Sequence, residues 1–69
     1  MISVERIKQN ISNAIKYSGK TQTSIAKEVG VSQQMISSYI KGEKTPQIET
    51  LANLCKVLDL DANEILCLK

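Results

Sequence analysis

Residues 22–41 read QTSIAKEVGVSQQMISSYIK. The stretch describes two short helices joined by a turn of about four residues that contains a glycine. Thr21 stands ready to cap the first helix and Ser32 the second, each a hydroxyl residue just ahead of an apolar-periodic run. The first helix turns Ile25, Ala26 and Val29 to one side. Gly30 then ends it by supplying the left-handed backbone that the corner requires. The second helix turns Ile36, Tyr39 and Ile40 inward, and Gly42 stops it. Ala26 is small where the second helix must cross close to it. Ile25, Val31, Ile36 and Tyr39 or Ile40 lock the pair at a steep angle.

The spacing of three and four continues on both sides, and no stretch alternates with period two. Upstream, Val4, Ile7, Ile11, Ala14 and Ile15 form one stripe, with Ser3 to cap the helix, Tyr17 in its last turn and Gly19 to end it. Downstream, Glu43-Lys44-Thr45-Pro46 predicts a loop, because a proline disfavours helix in the residue before it. A fourth helix from about 48 to 58 turns Leu51, Leu54, Cys55 and Leu58 inward. Asp59 follows it at the position where a left-handed residue often ends a helix. Asp61 and Glu64 have capping-box spacing and open a last short helix carrying Ile65 and Leu66. The expectation is an all-α, compact five-helix domain over residues 1–69, with its helix-turn-helix core at 21–42.

Sixty-nine residues fit one small domain. The chain has no His, which removes the commonest general base and the commonest zinc ligand together. No nucleophile sits beside a base, no glycine-rich loop is built to cradle phosphate, and there is little room for a substrate pocket. An enzyme is therefore not expected, nor a cofactor, a metal or a small-molecule ligand. With two Tyr and neither Phe nor Trp, binding of single strands or RNA by base stacking is poorly supported. Cys55 reads as a buried small hydrophobe and Cys67 as a more exposed thiol. Two reduced thiols suit a cytosolic protein, with an intermolecular disulfide or redox switch as the alternative. No apolar run approaches the length of a membrane span, and the opening MISVER lacks a secretory layout. A cytoplasmic protein is expected.

Charge is unevenly spread. Residues 6 to 44 hold seven bases (Arg6, Lys8, Lys16, Lys20, Lys27, Lys41 and Lys44) against Glu28 and Glu43, a balance of +5. Residues 45 to 69 hold Lys56 and Lys69 against four acids, a balance of −2, and Glu5 brings the total to +2. A basic front portion suits a polyanion partner. On a helical wheel, Gln33, Gln34, Ser37, Ser38 and Lys41 share one arc opposite the apolar side, with Met35 at the border. That arc offers two amides, two hydroxyls and a cation, with no acid and no large apolar group. Gln can bond bidentately to adenine N6 and N7, and Ser can serve most base edges. A plain solvated face is the alternative; the turn before the helix favours base readout in the major groove.

Taken together, Thr21-Gln22, Ile25-Ala26, Val29-Gly30-Val31-Ser32, Ile36, Tyr39-Ile40, Lys41-Gly42, Thr45-Pro46, Leu51-Ala52, Leu58 and the run from Asp61 to Leu66 resemble a known pattern. It is that of the helix-turn-helix domains of the phage repressor and Cro type, the XRE family. The resemblance covers roughly residues 3 to 66. It implies a lambda-repressor-like DNA-binding domain that serves as a sequence-specific transcriptional regulator, in the style of a Cro-like repressor. The Gln33-Gln34 pair is also found in some lambdoid phage repressors, where those glutamines touch base edges. The resemblance therefore implies base contacts from Gln33, Gln34, Ser37 and Ser38 through the helix at 33–41. It implies phosphate contacts from Thr21, Gln22, Lys41, Lys44 and Thr45, with Gln22 also bracing Gln33. Lys20 and Lys27 are flanking phosphate candidates. Ser37 and Ser38 are shorter than the side chains often found at their positions.

Many relatives bind pseudo-palindromic double-stranded sites as homodimers, and a homodimer is expected here. Leu60, Ile65, Leu66 and Leu68 are the candidate interface, although this apolar tail can equally fold back on the core. The chain ends shortly after the helical domain, so no sensor domain is expected. The competing reading is a protein-interaction module on the same fold, such as an antitoxin, against which stands the lack of a long tail to wrap a partner.

Overall fold

The computed structural model describes residues 3–66. Its helices are α1 (Val4–Lys16), α2 (Gln22–Val29), α3 (Gln33–Lys41), α4 (Ile48–Leu58) and α5 (Ala62–Ile65). Side chains start four of them. Ser3 Oγ accepts from the Arg6 N–H at 3.3 Å, Thr21 Oγ1 from Ser24 at 3.1 Å and Ser32 Oγ from Met35 at 3.1 Å. An Asp61 carboxylate oxygen accepts from the Asn63 N–H at 2.9 Å. Each satisfies one of the N–H groups a helix start leaves open, and a lost cap of this kind costs about 1 kcal/mol.

The turn between α2 and α3 closes tightly. Gly30 sits at φ 89°, and the N–H groups of Gly30 and Val31 both donate to the Ala26 carbonyl, at 2.8 and 3.0 Å. The helix-turn-helix angle is thus fixed by one carbonyl and one left-handed residue. At the end of α4 the left-handed position falls to Asp59 at φ 55°.

Ile11, Ile15, Ile25, Ala26, Val29, Ile36, Tyr39, Leu54 and Ile65 form the buried core. Ile25, Ile36 and Leu54 are nearly sealed from solvent, each worth about 1.5–3 kcal/mol of burial. α1 and α2 both pack on α3, α4 closes over α2, and α5 lies against α1. The layout leaves the outer side of α3 uncovered.

Two polar side chains of α1 clamp the ends of other helices. Ser12, only 7% exposed, donates from Oγ to the Ile40 carbonyl at 2.6 Å. Asn10 Nδ2 donates to the Ile65 carbonyl at 3.1 Å. Both acceptors are last-turn carbonyls without a helical partner of their own.

The structure departs from the sequence expectations in four places. α1 stops at Lys16 with Tyr17 as its cap, ahead of Gly19. The Ser18 hydroxyl donates to the Ile15 carbonyl at 2.9 Å, and Gly19 takes the left-handed conformation at φ 79° just beyond. Val4, expected on the inner stripe, is 58% exposed because it precedes the turns that meet the core. Cys55 is half-buried, since α4 turns Leu54 most squarely to α2. Ile65 is buried at 7% exposure, so it folds back on the core and leaves the candidate dimer interface. Leu60 and Leu66 are half-buried, while Leu68 and Cys67 lie outside the described residues.

Candidate nucleic-acid interface

α3 is held from behind and at both ends. Ile36 and Tyr39 anchor it in the core. Ser32 caps its start. At its end, the Glu43 N–H donates to the Ser38 carbonyl at 3.0 Å and the Gly42 N–H to that of Tyr39 at 3.1 Å. This is the Schellman pairing, with Gly42 left-handed at φ 74°. Ser12 satisfies the next carbonyl, that of Ile40. A helix fixed this way presents its outer side chains from a rigid frame, as precise base readout requires.

The outer face has two edges. Gln33, Ser37 and Lys41 follow one another at spacing four, and so do Gln34 and Ser38 beside them. Gln33, Gln34 and Lys41 are exposed, while Ser37 and Ser38 are half-buried. The Ser38 hydroxyl donates back to the Gln34 carbonyl at 3.1 Å. Its proton is therefore committed within the helix, and the oxygen offers only acceptor capacity outward.

The second edge leans toward the loop after α3. Gln34, Ser38 and Lys44 line one shallow depression with Met35 and Ser32. Lys44 and Thr45 border the next one, floored by Met35 and Tyr39. The structure thus brings Gln34, Ser38, Lys44 and Thr45 together on one flank. Met35 is half-buried and packs against the core, so it supports this flank from beneath.

The first edge leans toward α1 and the start of α2. Thr21 and Gln22, both exposed, line a depression with Lys16, Lys20 and Ile40. Thr21 spends an acceptor on its own cap but keeps its hydroxyl proton to donate. No acid stands in the first turn of α2 to oppose an anion there. Gln22 and Gln33 are not hydrogen-bonded to each other in the free domain. Lys20 pairs with Glu28 at 3.1 Å, an exposed contact worth about 0–1 kcal/mol. Lys27 is exposed in the last turn of α2.

Sequence reasoning missed Ser12 and Lys16. Ser12 carries a faint signal as the polar residue beside Ile11 in the apolar stripe of α1. Lys16 carries none, because its neighbours come from α2 and α3. Among the described residues, no three His, Cys, Asp or Glu side chains stand together to hold a metal ion. No described helix is long and apolar enough to cross a membrane.

A tight two-helix corner, with the second helix braced and its uncovered face amide- and hydroxyl-bearing, defines a helix-turn-helix module. A family model described as helix-turn-helix matches residues 11–65, and the chain belongs to this family, of the XRE type. The chain is also similar to the cryptic phage CTXphi transcriptional repressor RstR of Vibrio cholerae serotype O1. The two are 32% identical over 60 residues, which is 87% of this chain and 54% of RstR. The chain therefore spans about half the length of this curated relative. No solved structure matches.

Proposed function

We propose that the domain is a sequence-specific, double-stranded-DNA-binding transcriptional regulator, a Cro-like repressor that reads the major groove with α3. One observation carries the reading. The polar arc of α3 has candidate phosphate donors near both flanks: Gln34 and Ser38 share a depression with Lys44, which with Thr45 borders the next, while Ile40 of α3 shares one with Thr21 and Gln22. A helix in a major groove runs between two phosphate walls, and this arrangement offers donors to each. Membership of the helix-turn-helix family and likeness to a phage repressor support the same reading.

In this reading Gln33 is the main adenine reader, Gln34 is a second base contact, and Ser38 accepts from an exocyclic amine. Thr21, Gln22, Lys41, Lys44 and Thr45 set register on the backbone. A homodimer on a pseudo-palindromic site follows the same logic, with Leu60 and Leu66 as the described residues that remain available to an interface. Selection from random duplex DNA tests the proposal. A two-fold symmetric motif bound far more tightly than random DNA supports it. Recovery of no motif, with only weak salt-sensitive binding to every duplex, contradicts it.

A further inference from the structure

We propose that Lys16, on the last turn of α1, is a further phosphate-binding residue that joins Gln22 and Lys41 into one continuous grip on a single wall of the groove. The inference rests on the DNA-binding reading above and extends it to an element outside the helix-turn-helix.

Lys16 lines two adjoining depressions. One holds Lys20, Thr21 and Gln22 at the start of α2. The other, an open groove of about 350 Å³, runs between α1 and the end of α3 and holds Gln9, Asn13 and Lys41, with the Glu5 and Lys8 pair also on its lining. Ile40 floors both. Lys16 therefore borders both the start of α2 and the end of α3. Gln9, Asn13 and Lys16 follow one another at spacings of four and three, so all three stand on one side of α1. Two amides able to donate and a cation form a strip beside Lys41.

The charges sharpen the assignment. Lys20 is paired with Glu28, and Lys8, also in the groove, lies 3.9 Å from Glu5. Lys16 and Lys41 are in no such pair and carry the strip's uncompensated charge. Across the recognition helix, the opposite flank has its own cation in Lys44. A major-groove helix needs anchorage on both strands, and Lys16 with Lys41 supplies it on the strand that Lys44 does not face. Duplex phosphate, closely spaced along each strand, matches a row of donors better than an isolated anion does.

The test uses the full chain with Lys16→Ala, on the duplex recovered by selection and on an unrelated duplex of equal length. Affinity is titrated across salt concentration. Loss of one phosphate contact is expected to flatten the slope of log affinity against log salt by about 0.9. The change is expected on both duplexes alike, because phosphates carry no sequence, so the preference between them stays intact. Lys16→Arg is expected to retain the slope, and Lys56→Ala on α4 to leave it untouched. A lysine that serves only the α1 dipole shifts thermal melting while the slope stays put, and that result overturns the assignment. In that case wild-type selectivity is preserved and the reading of α3 stands. Absence of any wild-type binding to duplex DNA removes both together.

Discussion

The hydroxyl of Ser12 donates a 2.6 Å hydrogen bond to the carbonyl of Ile40, tying the middle of α1 to the last turn of α3. The bond closes the one carbonyl that the Schellman pairing at Glu43 and Gly42 leaves open next to Tyr39.

Ser12→Ala leaves the Ile40 carbonyl without its partner in a part-buried setting. The expected cost is about 1–3 kcal/mol. For a domain of this size each kcal/mol lowers the melting temperature by roughly 4–8 °C. Thermal unfolding followed by circular dichroism checks it, and an unchanged melting temperature removes Ser12 from the account of how α3 is held.

Two left-handed positions give opposite expectations. A Cβ on Gly30 would meet nothing within 4 Å, so Gly30→Ala carries only the cost of φ 89°, about 1–2 kcal/mol. Asp59 already bears that kind of cost at φ 55°, and Asp59→Gly is expected to raise stability by about 0.5–1 kcal/mol. Denaturant titration of both variants measures the pair. Equal effects of the same sign contradict it.

Burial raises the Tyr39 phenol above its ordinary range, and burial with the nearby Asp61 carboxylate raises the Cys55 thiol. A raised acid favours the protonated, folded form. The unfolded chain ionises first, so stability is full below the ordinary thiol and phenol ranges. It is lost as pH rises through them toward the folded values. Melting temperature is therefore expected to fall through the alkaline range, and Cys55→Ser to soften the earlier part of that fall.

Lys44→Ala is expected to weaken binding to every duplex alike and to flatten the salt slope by about 0.9. An unchanged slope removes Lys44 from the backbone contacts.

Much of this is legible in the sequence. Ser3, Thr21 and Ser32 announce helix starts by type, Gly30 and Gly42 announce stops, and the apolar spacing from Ile25 to Ile40 announces the corner. Local rules decided those features, so local sequence carried them. The end of α1 falls at Lys16, ahead of the left-handed turn at Gly19, and the intervening Ser18 hydrogen bond to the Ile15 carbonyl is a weak signal in sequence. The face of α3 was legible because its polar arc lies on one helix. The joining of Lys16 to Gln22 and Lys41 was not, because those residues come from α1, α2 and α3, and only packing brings them together. Ile65 showed the same limit: an apolar tail residue reads alike whether it meets a partner or its own core.

The central claim is that Gln33 and Gln34 read bases. The most direct test measures the ratio of affinities for the selected site and random duplex, at one salt concentration, for the wild type and for Gln33→Ala with Gln34→Ala. Each lost bidentate contact is worth about 1–3 kcal/mol of discrimination, so the ratio is expected to collapse while binding to random DNA stays near the wild-type level. A double variant that discriminates as well as the wild type contradicts the account.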